Sequence, residues 1–217
     1  MLLTGFESYG GRSANPAEEV IGVLDGVEIA GRRVVARTLS VNYAELGPRI
    51  AKLIAETAPP AVICLGLWPG EPMLRLERIA ANIADFEIAD NVGAVERGPV
   101  VPAGAAAYAS TLPLHAIQDR LLAVGIPARL SGSAGSFLCN ALMYHALRIC
   151  AARDPAPRCG LIHVPYLPRQ VAEIVGDTRD AARFELHQRA DLASMSLDTV
   201  VEGIRFAIET TLTAPAR

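Results

Sequence analysis

Two residues in this chain have the types and settings of an acyl-transfer pair. Cys139 stands in SGSAGSFLCNALMYHALRIC (residues 131–150), where a small, polar, glycine-bearing turn opens into a helical pattern. The first turn of a helix presents unpaired N–H groups and a partial positive charge, and both favour a thiolate. A cysteine placed there can have its pKa lowered. His163 stands near the end of the apolar run Gly160-Leu161-Ile162-His163-Val164-Pro165. An imidazole beside a thiol takes its proton and later gives one to the leaving group. Alone, a cysteine in a helix or a histidine near a strand end reads first as core packing, and it is the pairing that suggests chemistry. The other histidines are weaker candidates. His145 follows Cys139 on the same helix, about 240° around it, and His115 and His187 fall in segments that read as solvent-exposed.

A third group must orient the imidazole. Glu77 is available in LERIAAN, although on composition it reads first as a surface carboxylate paired with Arg75 or Arg78. Phe6 and Tyr9, in the loop GFESYGG (residues 5–11), could wall a small apolar pocket. That loop has neither G-x-G-x-x-G nor G-K-[ST], which speaks against a nucleotide site.

The elements that must position these groups alternate along the chain. Apolar runs at 1–5, 33–39, 61–66, 127–130 and 160–164 read as strands, the run at 61–66 as a buried central one. Helical spacing covers 16–21, 44–55, 113–124, 136–151, 167–174 and 196–212, with Asn15 before Pro16 and Ser196 as N-caps. Residues 74–88 read as extended, 94–110 as a loop or arm rich in Ala, Gly and Pro, and 177–193 as a polar surface segment. This order predicts a three-layer α/β/α sandwich with a mostly parallel central sheet, in one domain spanning residues 1–217. Ligands of such sheets gather outside the strand carboxyl ends. A parallel arrangement would bring Cys139 and His163 to one rim.

Composition narrows the class further. Net charge is −3 with no basic block, which argues against a nucleic-acid or anionic-membrane partner. No apolar run reaches the roughly 20 residues that span a bilayer. Met1-Leu2-Leu3-Thr4-Gly5 has no leader pattern, so a cytoplasmic location is expected. Cys64, Cys139, Cys150 and Cys159 are irregularly spaced and form no C-x-x-C, which fits reduced thiols better than a disulfide framework or a zinc site.

Four blocks, in order, resemble the pyrrolidone-carboxylate peptidases, the pyroglutamyl-peptidase I family of cysteine peptidases. They are TGFESYGG with the following NP (residues 4–16), LERIAAN (76–82), SGSAGSFLCNALMYHAL (131–147) and GLIHVPYLPRQ (160–170); SMSL (194–197) is a weaker fifth. The resemblance implies Cys139 as nucleophile, His163 as base and acid, and Glu77 as the orienting carboxylate. It also implies a lactam pocket lined by Phe6, Tyr9, Ile88, Phe137 and Leu138. It further implies removal of an N-terminal pyroglutamyl group from peptides, no metal or cofactor, and a homo-oligomer, tetramer or dimer.

The chain also departs from that pattern. Leu67 stands where relatives carry a glutamine that recognises the lactam, Pro69-Gly70-Glu71 replaces Gly-Gly-Arg, Glu87 replaces an arginine, and Tyr9 replaces a phenylalanine. A carboxylate at Glu87 is expected to oppose a thiolate and raise the Cys139 pKa. The Tyr9 hydroxyl needs a partner if buried. Acyl-transfer chemistry is therefore better supported than pyroglutamyl specificity. An amidase or peptidase with another acyl group, and a non-catalytic small-ligand binder, are the alternatives.

Overall fold

The computed structural model describes residues 1–180 and 192–215. Its strands are β1 (Leu2–Phe6), β2 (Glu28–Ile29), β3 (Arg32–Arg33), β4 (Val35–Leu39), β5 (Ala61–Leu67), β6 (Leu74–Glu77), β7 (Ile79–Ala81), β8 (Ala84–Asp85), β9 (Arg97–Gly98), β10 (Ala107–Ala109), β11 (Ala128–Ser131) and β12 (Arg158–Val164). Its helices are α1 (Pro16–Leu24), α2 (Tyr43–Thr57), α3 (Leu114–Ala123), α4 (Leu138–Ala151), α5 (Pro168–Asp180) and α6 (Leu197–Thr213).

Six strands form the central sheet in the order β11-β6-β12-β5-β1-β4. The all-apolar sequence of β5 suits a strand covered on both faces, and every one of its residues is buried. Alternate residues serve opposite layers, because successive side chains of a strand point to opposite faces. Leu3, Ile63 and Leu65 pack with Val20 of α1, Ile117 of α3 and Ile204 of α6. Leu2, Val62 and Cys64 pack with Ile50 of α2 and Leu142 of α4. The result is the expected three-layer α/β/α arrangement.

Cap chemistry fixes where the helices begin. The Asn15 side chain accepts the Ala17 N–H and Pro16 opens α1, while the Ser196 side chain accepts the Thr199 N–H at the start of α6.

The sheet is mostly parallel, as predicted, but β6 and β11 run against β12, with Arg75 opposite His163 and Leu76 opposite Ile162. Ser131, at the end of β11, pairs with Glu77. So β11 does not deliver the chain straight to the rim where β12 ends. Residues 132–137 carry it across instead.

Two further expectations need correction. The 94–110 arm contains β9 and β10, which pair with β8 and β7. Helix α5 continues past Ile174 to Asp180. Of the segment read as polar surface, residues 181–191 lie outside the described residues, and so does His187. No helix among the described residues is long and apolar enough to cross a membrane.

Candidate active site

The site is built outward from the pairing of β6 with β12. Arg75 lies directly opposite His163. Side chains two apart on a strand share a face, so Glu77 comes to the same side and reaches His163 diagonally. His163 Nδ1 donates to Glu77 Oε1 at 2.8 Å. Oε1 also accepts from Arg75 Nε at 2.7 Å. Glu77 is 0% exposed and His163 1% exposed, so this contact is dry. Glu77 is therefore no surface carboxylate, and Arg78 turns away to the Ser131 carbonyl. With its Nδ1 proton given to Glu77, His163 keeps an Nε2 lone pair for a second partner.

That second partner is brought by α4. The helix starts at Leu138 with no side chain capping it, so Cys139 sits in a first turn whose N–H groups lack intrahelical acceptors. Gly66, which pairs with His163, forms the floor. A methyl group on Gly66 would stand 2.5 Å from Cys139 Sγ and 3.3 Å from His163 Nε2. Thiol and imidazole thus converge over one bare stretch of backbone.

The electrostatics correct the expected thiolate. Burial, then the Glu77 charge, then Cys64 push the Cys139 thiol up to about 12. Burial also lowers the His163 pKa, outweighing the hydrogen bond and charge of Glu77 that would raise it. Both shifts favour the neutral forms, a thiol and an imidazole. Desolvation here exceeds what a helix terminus supplies, about 0.3–1 kcal/mol in ordinary settings. The carboxylate acting on Cys139 is Glu77 rather than Glu87, which stands exposed at the pocket mouth.

Asn140, one residue beyond the cysteine, had drawn no attention in the sequence. Its side chain is 1% exposed and clamps the start of α4 to the chain around β7. It accepts from Ala81 N–H and donates to the carbonyls of Ala81 and Ile83, all within 2.8–2.9 Å. Asn140→Ala would leave three backbone groups without partners, at a cost of about 3 kcal/mol. Urea unfolding of the two proteins should show this as a lower midpoint at unchanged slope.

Before the pair opens a cavity of about 350 Å³. Phe6, Tyr9, Ile88, Phe137, Leu138, Cys139 and His163 all line it, and Glu77 lies behind His163. Phe86 and Phe137 meet edge to face with ring centroids 4.6 Å apart, and Tyr43 meets Phe86 likewise at 5.3 Å. Such contacts hold a wall rigid at little entropic cost. Ile88 is half exposed at the mouth. Tyr9 is partly buried and lines the cavity, its ring tilted toward Phe137 with centroids 6.2 Å apart.

Leu67 lines the cavity, whereas Glu71 does not. Glu71 is buried and bidentate to Arg129, at 3.0 and 2.6 Å. Trp68 and Arg75, neither assigned a role from sequence, also belong here. Trp68 meets His163 edge to face at 5.0 Å, and the Arg75 guanidinium stacks 3.6 Å from the centre of the Trp68 ring. The available signals were Trp68's position just after a central strand and Arg75's position two residues before Glu77.

A thiol, an imidazole hydrogen-bonded to a carboxylate, open N–H groups and a largely apolar cavity are the groups that acyl transfer uses. Comparison with known proteins bears on the same conclusion. The pyroglutamyl peptidase family profile matches residues 1–214. The chain is 37% identical over 213 residues to the pyrrolidone-carboxylate peptidase of Pyrococcus furiosus, covering 98% of this chain and 97% of that one. It is 39% identical over 216 residues to pyrrolidone-carboxylate peptidase 1 of Ralstonia nicotianae, covering 98% and 92%. A solved structure of a mutant pyrrolidone carboxyl peptidase from P. furiosus superimposes with a TM-score of 0.90 at 36% identity, covering 99% of each chain. Sequence and fold agree along almost the whole length: the chain belongs to the pyroglutamyl peptidase family of cysteine peptidases.

Proposed function

We propose that this protein, as one peptidase domain, removes N-terminal pyroglutamyl groups from peptides through Cys139, His163 and Glu77. The observation that carries the reading is the convergence of Cys139 Sγ and His163 Nε2 over Gly66, with Glu77 on the far nitrogen.

Because burial favours the neutral thiol and the neutral imidazole, attack and proton transfer belong to one event. As Sγ adds to the scissile carbonyl, its proton passes to His163 Nε2, and the imidazolium formed is stabilised by Glu77. The N–H groups of the first turn of α4 face the developing oxyanion. His163 then gives the proton to the leaving amine, and the C–N bond breaks. Water, deprotonated by His163, hydrolyses the thioester and restores the thiol. The acyl ring would lie among Phe6, Tyr9, Phe137 and Leu138, with Ile88 at the mouth. A cytoplasmic setting is supported by four free cysteines. Homo-oligomeric assembly is supported by the exposed apolar side chains of Ile83, Ile88, Val92 and Val95.

Leu67 favours a second reading, in which the same triad accepts another acyl group. An apolar wall discriminates by roughly 10–200-fold, against 10⁴–10⁵ for a wall that hydrogen-bonds its ligand. We expect kcat/KM for pyroglutamyl aminocoumarin amide to exceed that for the prolyl amide by about 10²-fold. Equal rates, or a preference for a ring without the lactam carbonyl, would support the second reading instead.

A further inference from the structure

We propose that Arg75 is a positioning residue that holds both halves of the reacting pair in register. The inference rests on the reading above and assigns a role to a side chain that does not touch the substrate cavity.

Four contacts define it. Arg75 Nε donates to Glu77 Oε1 at 2.7 Å, so it fixes the carboxylate that orients His163. Its Nη2 donates to the Ser133 carbonyl at 2.7 Å, inside the turn that leads from β11 to Cys139. Its guanidinium plane lies 3.6 Å from the centre of the Trp68 ring, and that ring packs edge-on against His163. Its Nη1 is 3.6 Å from Glu71 Oε2.

A planar fork can make these contacts at once, and an ammonium cannot. Glu71 explains how the cation is tolerated with so little exposure: it neutralises Arg75 on one side and Arg129 on the other. Among the described residues Glu77 Oε2 has no partner, and there Arg75 is the only arginine or lysine hydrogen-bonded to Glu77. The departure at Glu71 thus acquires a use. The chain carries a carboxylate where relatives carry an arginine, and it supplies a guanidinium to the triad from Arg75.

The test separates positioning from mere stability. The charged or titratable groups facing His163 are Glu77 and Arg75 from β6, Glu71 from the turn after β5, and Cys139 from α4. Arg75 lowers the His163 pKa while Glu77 and Glu71 raise it. Removing the cation should therefore move the His163 midpoint to higher pH. In Arg75→Gln, kcat should fall by about 10²-fold with KM changed little. The imidazole titration, followed by NMR on the free enzyme, and the acid limb of kcat/KM should both move upward.

Arg75→Lys keeps the charge and loses the fork. Its midpoint should stay near wild type while kcat still falls by about 10-fold or more. Wild-type kcat and an unmoved midpoint in Arg75→Gln would overturn the proposal. If that variant does not fold, wild-type kcat in Arg75→Lys would overturn it equally. A wild-type protein inactive on every pyroglutamyl amide would sink the functional reading instead, and the NMR midpoint would still decide the role of Arg75.

Discussion

Glu77→Gln is expected to lower kcat by about 10³-fold while leaving KM within a few-fold of wild type. The substitution preserves shape, so the effect isolates charge. Oε1 of Glu77 now accepts from both His163 Nδ1 and Arg75 Nε. An amide oxygen could keep both bonds only by placing the amide NH₂ where Oε2 stands, a buried position with no partner. Turned the other way, the NH₂ would face two donors and force His163 into the tautomer that points a proton at Cys139. In either orientation the imidazolium formed during attack loses its counter-charge in a dry site, where such a loss is costly. Steady-state kinetics with pyroglutamyl aminocoumarin amide reads this directly. A kcat within 10-fold of wild type would show that Glu77 does not support the base.

Gly66→Ala should reduce activity by about 10³-fold for a purely steric reason. Gly66 is not among the residues of positive φ, so its backbone conformation suits any residue and strain is not the issue. The obstacle is the neighbourhood. A methyl group would stand 2.5 Å from Cys139 Sγ, closer than non-bonded atoms approach, and 3.1 Å from His163 Cδ2, a contact that is already tight. The thiol and the imidazole must move apart, and in the proposed mechanism theirs is the spacing that matters most. Gly22→Ala is the control, because no heavy atom outside α1 lies within 4 Å of its added methyl group. That variant should retain wild-type kcat. Activity in Gly66→Ala close to the control would mean that Sγ and Nε2 do not work over this floor.

Much of the scaffold was legible because its signals are local. The unbroken apolar runs of β5 and β12 mark strands covered on both sides, and Asn15-Pro16 and Ser196 mark helix starts through side-chain capping. Cys139 at a helix start and His163 near a strand end could be read in the same way. Strand direction could not. LRLE and ARLS are four-residue strands whose polarity is set by what they pair with, and the pattern of alternation is the same in either direction.

That loss hid the most informative relation in the site. The pairing of β6 with β12 places Arg75 opposite His163 and lets Glu77 reach its ring. Composition could not reveal that a glutamate flanked by arginines is fully buried. Nor could it show that burial overrides the helix terminus at Cys139. Leu67, Glu71 and Glu87 looked alike as departures from the family pattern, and the structure separates them. Leu67 lines the cavity, Glu87 stands exposed at its mouth, and Glu71 is buried against Arg129 and Arg75.

The central claim is that the acyl group passes through Cys139. The most direct measurement is mass spectrometry of the enzyme quenched in acid during turnover of an activated pyroglutamyl ester, followed by peptide mapping. The expected result is a mass increase equal to one pyroglutamyl group, located on the peptide containing Cys139 and absent from Cys139→Ala, which should also show no turnover. An adduct on another residue, or turnover in Cys139→Ala at a rate near wild type, would contradict it.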